Sequence, residues 1–134
     1  MSNSTVLAFD IGRTGAWYVS NYDRGEEIII DSLLKFERLL KELIQTYKPD
    51  IILYPHPVQY YNVMRKHWQI IGVINLVAEK KEIQTIEVKD SQAKKLVFGK
   101  GKVSKEEIKS NYEEESEHLA DAKMFVESYF LSVS

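Results

Sequence analysis

The sequence predicts an α/β domain built on a mixed five-stranded sheet, three antiparallel strands followed by αβ units, with helices on both faces. Three observations carry this reading. Short runs rich in β-branched and aromatic residues, separated by turn residues, crowd the N-terminal part of the chain. An amphipathic helical stripe follows them, and two brief strand-like runs then alternate with helical segments.

Taken in order, Thr5 to Asp10, Ala16 to Asn21 and Glu26 to Asp31 read as strands joined by hairpins. Ser32 to Tyr47 carries Leu33, Phe36, Leu39, Leu40, Leu43 and Ile44 at helical spacing, and Lys48-Pro49-Asp50 ends that helix. Ile51-Ile52-Leu53-Tyr54 is a wholly apolar run of buried-strand type, and a helix follows from about Val58 to Lys80. Gln84 to Val88 is the fifth strand, Ser91 to Phe98 a short helix, and Gly99 to Val103 a glycine-containing loop. Ser104-Lys105-Glu106-Glu107 matches a capping box, in which the Ser hydroxyl accepts from the backbone three residues on. The last helix covers Ser116 to Leu131. This pattern leaves the order of the strands in the sheet open.

The 134 residues suffice for one domain over 1–134 that buries a sheet under helices, and no repeat, low-complexity stretch or linker divides them. With 44% hydrophobic and 28% charged residues the chain reads as soluble and globular. There is no Cys, which excludes disulfides and thiolate metal sites. No signal peptide or membrane span is legible, so the expected location is intracellular, in the cytoplasm. The net charge of −2 argues against a simple nucleic-acid binder, but it is unevenly spread: Lys89 to Lys109 carries +4 and the remainder −6. Such asymmetry suits a local anionic partner, as it also suits a solvated helix surface.

Two short stretches bear on chemistry. In VLAFDIGRTGAWYV an apolar strand stops at Asp10 and turns through Gly12 and Gly15 into the next strand. Turn chemistry explains an Asp there. So does a site, because α/β proteins place metal and phosphate groups at the mouths of their sheets. In Glu117-His118-Leu119-Ala120-Asp121-Ala122, His118 and Asp121 lie three residues apart on one helical face, with small neighbours that permit close approach to a sheet. Each alone suits an ordinary helix position; with Asp10 they make an oxygen-and-nitrogen cluster for a hard divalent ion.

FDIGRTG resembles the first-strand motif of RuvC-type Holliday-junction resolvases. IEVKDSQAKKLVFGKGKVSKEEI resembles their strand–helix segment with its Lys-rich GxG loop, and HLADA is similar to their closing helix. The resemblance spans nearly the whole chain and implies a ribonuclease-H-like fold, a homodimer, and metal-dependent paired nicking of four-way DNA junctions. By it, Asp10, His118 and Asp121 take metal-site positions, with Mg²⁺ as the ion and Mn²⁺ as its substitute. The same resemblance makes Lys105 a catalytic partner and places Lys94 and Lys105 beside the scissile phosphate, with Lys95, Lys100 and Lys102 as further DNA contacts.

One departure stands out. The family carries a Glu at the end of the fourth strand, where this chain reads Lys-Pro-Asp-Ile-Ile-Leu-Tyr-Pro-His-Pro. Counting forward puts Pro55 at that position, and counting back from the following helix puts Leu53 there. His56, or Glu114 or Glu115 from the acidic loop, are the candidate substitutes. Two functions therefore stay open: a resolving endonuclease with a reorganised metal site, or a RuvC-fold protein that binds branched DNA, or serves as a scaffold, without cleaving it. Asp-Ile-Gly-x-Thr also opens sugar-kinase and actin-like ATPase domains, which need a second phosphate-binding lobe that this length excludes. Tyr60 and Tyr61, and Trp17 and Tyr18 on the second strand, are candidates for stacking on unpaired bases at a branch point. The helix holding Trp68, Ile70, Ile71, Val73, Ile74, Leu76 and Val77 is apolar nearly all round, which suits burial between the sheet and a second subunit.

Overall fold

A computed structural model describes residues 4–57 and 61–134, and, within the second stretch, the side chains from residue 65 onward. The chain runs β1 (Val6–Asp10), β2 (Thr14–Val19), β3 (Arg24–Ile29), α1 (Leu33–Tyr47), β4 (Ile51–Pro55), α2 (Tyr61–Lys80), β5 (Gln84–Val88), α3 (Asp90–Phe98), α4 (Lys105–Tyr112) and α5 (Glu117–Val133). The strands form one mixed sheet in the order β3-β2-β1-β4-β5. β1 pairs antiparallel with β2 and parallel with β4, and β5 extends the parallel side. The expected α/β architecture of three antiparallel strands followed by αβ units is therefore present.

The alternation along β1 divides the core in two. Leu7 and Phe9 face one layer with Ile52 of β4, where α1 and α2 contribute Phe36, Leu40, Ile70, Ile71 and Ile74. Val6 and Ala8 face the other, with Ile51 and Leu53 of β4, under Ala93, Ile108, Ala120, Met124 and Phe125 of α3, α4 and α5. Period-two alternation on central strands buried on both faces leaves each strand apolar throughout, which is why β1 and β4 read as continuous apolar runs. Ala120 and Ala122, fully buried, bring α5 close to the sheet.

Helix ends follow the local chemistry. Ser32, Ser104 and Ser116 each accept a hydrogen bond from the backbone N–H three residues on, satisfying a donor left unpaired at a helix start. Gly99 ends α3 at φ +80°, a left-handed conformation that favours glycine, and so launches the loop toward α4. β2 and β3 each begin two residues earlier than the sequence suggests. Asp23, at φ 47°, closes the connection between them in a tighter turn than a reading from residue type allows. Gly15 is required sterically, since a Cβ there would collide with the carbonyl oxygen of Asp10.

Two aromatic expectations are corrected. Trp17 is a core residue, 6% exposed and packed against Tyr47, because β2 turns that position toward α1. Tyr18 packs on the opposite layer, and its hydroxyl donates to Asp23 at 2.8 Å, so neither is a stacking platform. Tyr60 lies outside the described residues, and Tyr61 begins α2 with its side chain outside them. On α2, Ile70, Ile71, Ile74 and Val77 are buried while Trp68 and Leu76 are about half exposed, so the apolar helix has an outer face that nothing among the described residues covers.

Candidate functional site

β1, β4 and β5 run parallel, so their C-terminal ends open at the same edge of the sheet. In α/β sheets this edge, next to the strand where the order reverses, is where ligands bind. Asp10 closes β1 on the face of Val6 and Ala8, which turns its carboxylate toward α5. The register Val6↔Ile51, Leu7↔Ile52, Ala8↔Leu53, continued for two residues, sets Pro55 beside Asp10. Of the two positions that counting left open for the family's Glu, Pro55 is thus the neighbour, and it contributes no side-chain donor.

An open pocket of about 430 Å³ lies at this edge. Three carboxylates line it: Asp10 from β1, Asp90 from the start of α3, and Asp121 from α5. Lys94 and Lys105 line it as well, together with His56 and His67. Val103, Ile108 and Phe125 form its apolar floor and hold the α3–α4 loop and α4 in place.

The charges within it are tightly connected. His118 Nδ1 lies 2.7 Å from Asp10 Oδ2, and its Nε2 3.6 Å from Glu117. Lys94 Nζ lies 2.6 Å from Asp90 Oδ2, and Lys105 Nζ 3.3 Å from Glu117. Burial pushes the Asp10 carboxyl up despite its bond to His118, and that same bond holds the His118 imidazole above its ordinary range. Asp121 is pushed up to about 7, first by burial and then by the negative charges of Asp10 and Asp90, which Lys94 and His118 offset only in part. Burial lowers the pKa of His67 against the pull of Asp10, so its imidazole is held neutral.

By residue type a hard divalent cation suits this donor set, since three carboxylates share one pocket. Among the described residues no three His, Asp or Glu are spaced, as they stand, to hold a metal ion. Asp10 pairs with His118 and Asp90 with Lys94.

Of the site residues expected from sequence, Asp10, Asp121, Lys94 and Lys105 meet in one pocket. His118 joins through its bond to Asp10 rather than as part of the wall. Lys95, Lys100 and Lys102 are exposed and do not line the pocket; Lys100 pairs with Glu107 at 3.3 Å. Of the candidate substitutes, His56 reaches the pocket but is tied to Glu87 at 2.9 Å. Glu114 is held by Lys123 at 3.3 Å, on the side of α5 where Lys123 lies over the Tyr18 ring, and does not reach it. Glu115 does not line it either.

Sequence reasoning missed Asp90 and His67. Asp90, two residues past the end of β5, carries a signal like that of Asp10 at the end of β1, but within a lysine-rich segment it reads only as one charge among many. His67 has no such signal, being one polar residue among the apolar positions of α2.

No family model and no curated protein sequence matches the chain. Solved structures do. Thermus thermophilus RuvC in complex with a Holliday junction substrate superposes with a TM-score of 0.77 at 14% identity, over 98% of this chain and 95% of that one. A second Thermus thermophilus RuvC structure gives 0.74 at 14% identity, over 96% and 95%. The fowlpox virus Holliday junction resolvase gives 0.57 at 15% identity, over 97% and 99%. With its β3-β2-β1-β4-β5 sheet and helices on both faces, this chain has the ribonuclease-H-like fold of the RuvC-type resolvases.

Proposed function

We propose that this protein is a metal-dependent endonuclease that resolves four-way DNA junctions by paired nicks. The observation that carries the reading is the pocket in which Asp10, Asp90 and Asp121 are held together with Lys94 and Lys105 at the parallel end of the sheet. Acids and bases gathered there suit a phosphodiester, whose negative charge must be met on one side and whose attacking water must be activated on the other. The likeness in fold to two junction resolvases, one of them bound to its junction, supports the substrate class.

Asp10 and Asp121 are the primary cation ligands in this reading, with Asp90 as a third carboxylate. A bound divalent ion supplies a water of lowered pKa and neutralises charge on the leaving oxygen. His118 would orient the Asp10 carboxylate through its Nδ1 bond. Lys105, about three-quarters exposed at the rim, swings from Glu117 to a non-bridging phosphate oxygen and stabilises the charge that grows there. Lys95, Lys100 and Lys102 continue this positive rim along the backbone of the junction arms. A homodimer formed over the exposed Trp68 and Leu76 of α2 presents two such pockets to a two-fold junction.

The test is nicking of a labelled four-way junction against a linear duplex of the same sequence, in Mg²⁺ and in Mn²⁺. Paired nicks confined to the junction are expected. A shifted but uncut junction indicates a branched-DNA binder instead, and equal treatment of junction and duplex contradicts the substrate class.

A further inference from the structure

The lysines that give the basic segment its charge are engaged within the protein. Lys94 pairs with Asp90, Lys100 with Glu107 and Lys109 with Glu106, each with an acid of the same segment. Lys105 differs. As the first residue of α4 it sits where the helix macrodipole disfavours a positive charge, so helix stability does not explain its place. Its partner, Glu117 at 3.3 Å, comes from the start of α5.

The surroundings of Glu117 are fixed. Ser116 caps α5 by accepting from the backbone N–H of Leu119, and its hydroxyl donates to Glu27 of β3, which ties the start of α5 to the sheet. The carboxylate oxygen that meets Lys105 also lies 3.6 Å from His118 Nε2. Glu117 therefore faces two nitrogens, and on giving up the lysine it still lies beside the imidazole. Lys105 and Lys94 both line the pocket, but Lys105 is 74% exposed and Lys94 only 20%. A phosphate on the outer surface meets Lys105 alone, whereas one seated in the pocket meets both. Exchanging Glu117 for an outer phosphate replaces one exposed ion pair by another and gains little. A phosphate in the pocket adds the attraction of Lys94 and takes Lys105 from the carboxylate.

We propose that Glu117 is a specificity-determining residue: it masks Lys105 from the backbone of ordinary duplex and yields it to a phosphate that branched DNA places in the pocket. This rests on the reading of the pocket as a DNA site, and it concerns selection of the DNA rather than its cleavage.

The test measures binding of a four-way junction and of a linear duplex of the same sequence by the full chain, without divalent ions, across a range of salt. Parent, Glu117→Gln, Lys105→Ala and the combined variant are compared. Gln keeps the shape of the side chain and removes its charge. Each phosphate that a lysine neutralises contributes about 0.9 to the log–log salt slope. Lys105→Ala alone is expected to lower the junction slope by about 0.9 and to leave the duplex slope unchanged. Glu117→Gln is expected to raise the duplex slope by about 0.9 and duplex affinity by up to about fivefold, the scale of one exposed ion pair. The junction slope should stay at its parent value, so that preference for the junction falls. In the combined variant the duplex slope should return to that of the parent, whereas a mere change of net charge would act with or without Lys105. A duplex slope unchanged by Glu117→Gln, a rise that survives the loss of Lys105, or an equal gain for junction and duplex overturns the proposal. The expected slopes without nicking in Mg²⁺ or Mn²⁺ leave the masking role standing and remove the nuclease reading. Nicking confined to the junction, with no effect of Glu117→Gln on the binding of either DNA, does the reverse. Binding of neither DNA overturns both.

Discussion

Replacing Asp121 by Asn should stabilise the metal-free protein, and the gain should depend on pH in one direction. In the unfolded chain this carboxyl titrates at its ordinary value of 3.8; in the fold, burial and the charges of Asp10 and Asp90 push it up to about 7. Between those values the native state binds more protons than the unfolded state, so stability falls as pH rises from about 4 to about 7 and levels off above. The gap is worth up to about 4 kcal/mol at about 1.36 kcal/mol per pH unit. Asn, nearly the same in shape and always neutral, removes that penalty. Urea unfolding without divalent ions should therefore show parent and variant nearly equal at about pH 4, with the variant more stable by a few kcal/mol at about pH 8. Added Mn²⁺ or Mg²⁺ should narrow the difference at the higher pH, because an ion that binds only the folded parent stabilises it by mass action. A difference that is flat across this range, or that grows toward low pH, would refute the view of Asp121 as part of an undercompensated carboxylate cluster.

Two further predictions test the basic rim and the core. Lys94→Ala with Lys105→Ala should flatten the dependence of junction affinity on salt by about 2 in the log–log slope, at about 0.9 for each phosphate that a lysine neutralises. Parallel salt plots for parent and variant would remove both lysines from the DNA interface. Phe9→Ala should cost about 3–5 kcal/mol in denaturant unfolding, since Phe9 is fully buried and meets the Phe36 ring edge-on at 5.3 Å. A loss below about 1 kcal/mol would mean that the layer under α1 and α2 repacks freely.

The order of elements is legible in the sequence because the apolar periodicities are local. The α1 stripe, the buried run at Ile51–Leu53 and the Ser104 cap each depend on residues a few positions apart. The strand order depends on pairing between distant segments, and local pattern carries no information about it. The same division governs the site. Asp10 and Asp121 stand out because each sits in a short, unusual context, whereas among the lysines of the basic segment only the resemblance to RuvC-type resolvases singles out Lys94 and Lys105. That Pro55 rather than Leu53 flanks Asp10 needs the parallel register of β1 and β4. His67 needs the third dimension altogether, since only the packing of α2 brings it to a pocket formed mainly by the opposite layer. Among the described residues the outer face of α2 keeps Trp68 and Leu76 about half exposed, so the burial of this helix expected from its apolar character is seen on its inner face.

If the carboxylate pocket at the end of β1 performs phosphodiester chemistry on branched DNA, Asp10→Asn is the decisive substitution. It preserves shape and keeps a hydrogen-bonding partner for His118 while removing one ligand charge. Nicking and binding of a four-way junction would be measured side by side for parent and variant, in Mn²⁺. Paired nicks are expected from the parent and none from Asp10→Asn, with nearly unchanged junction affinity for both. Undiminished cleavage by Asp10→Asn would contradict the assignment of the pocket.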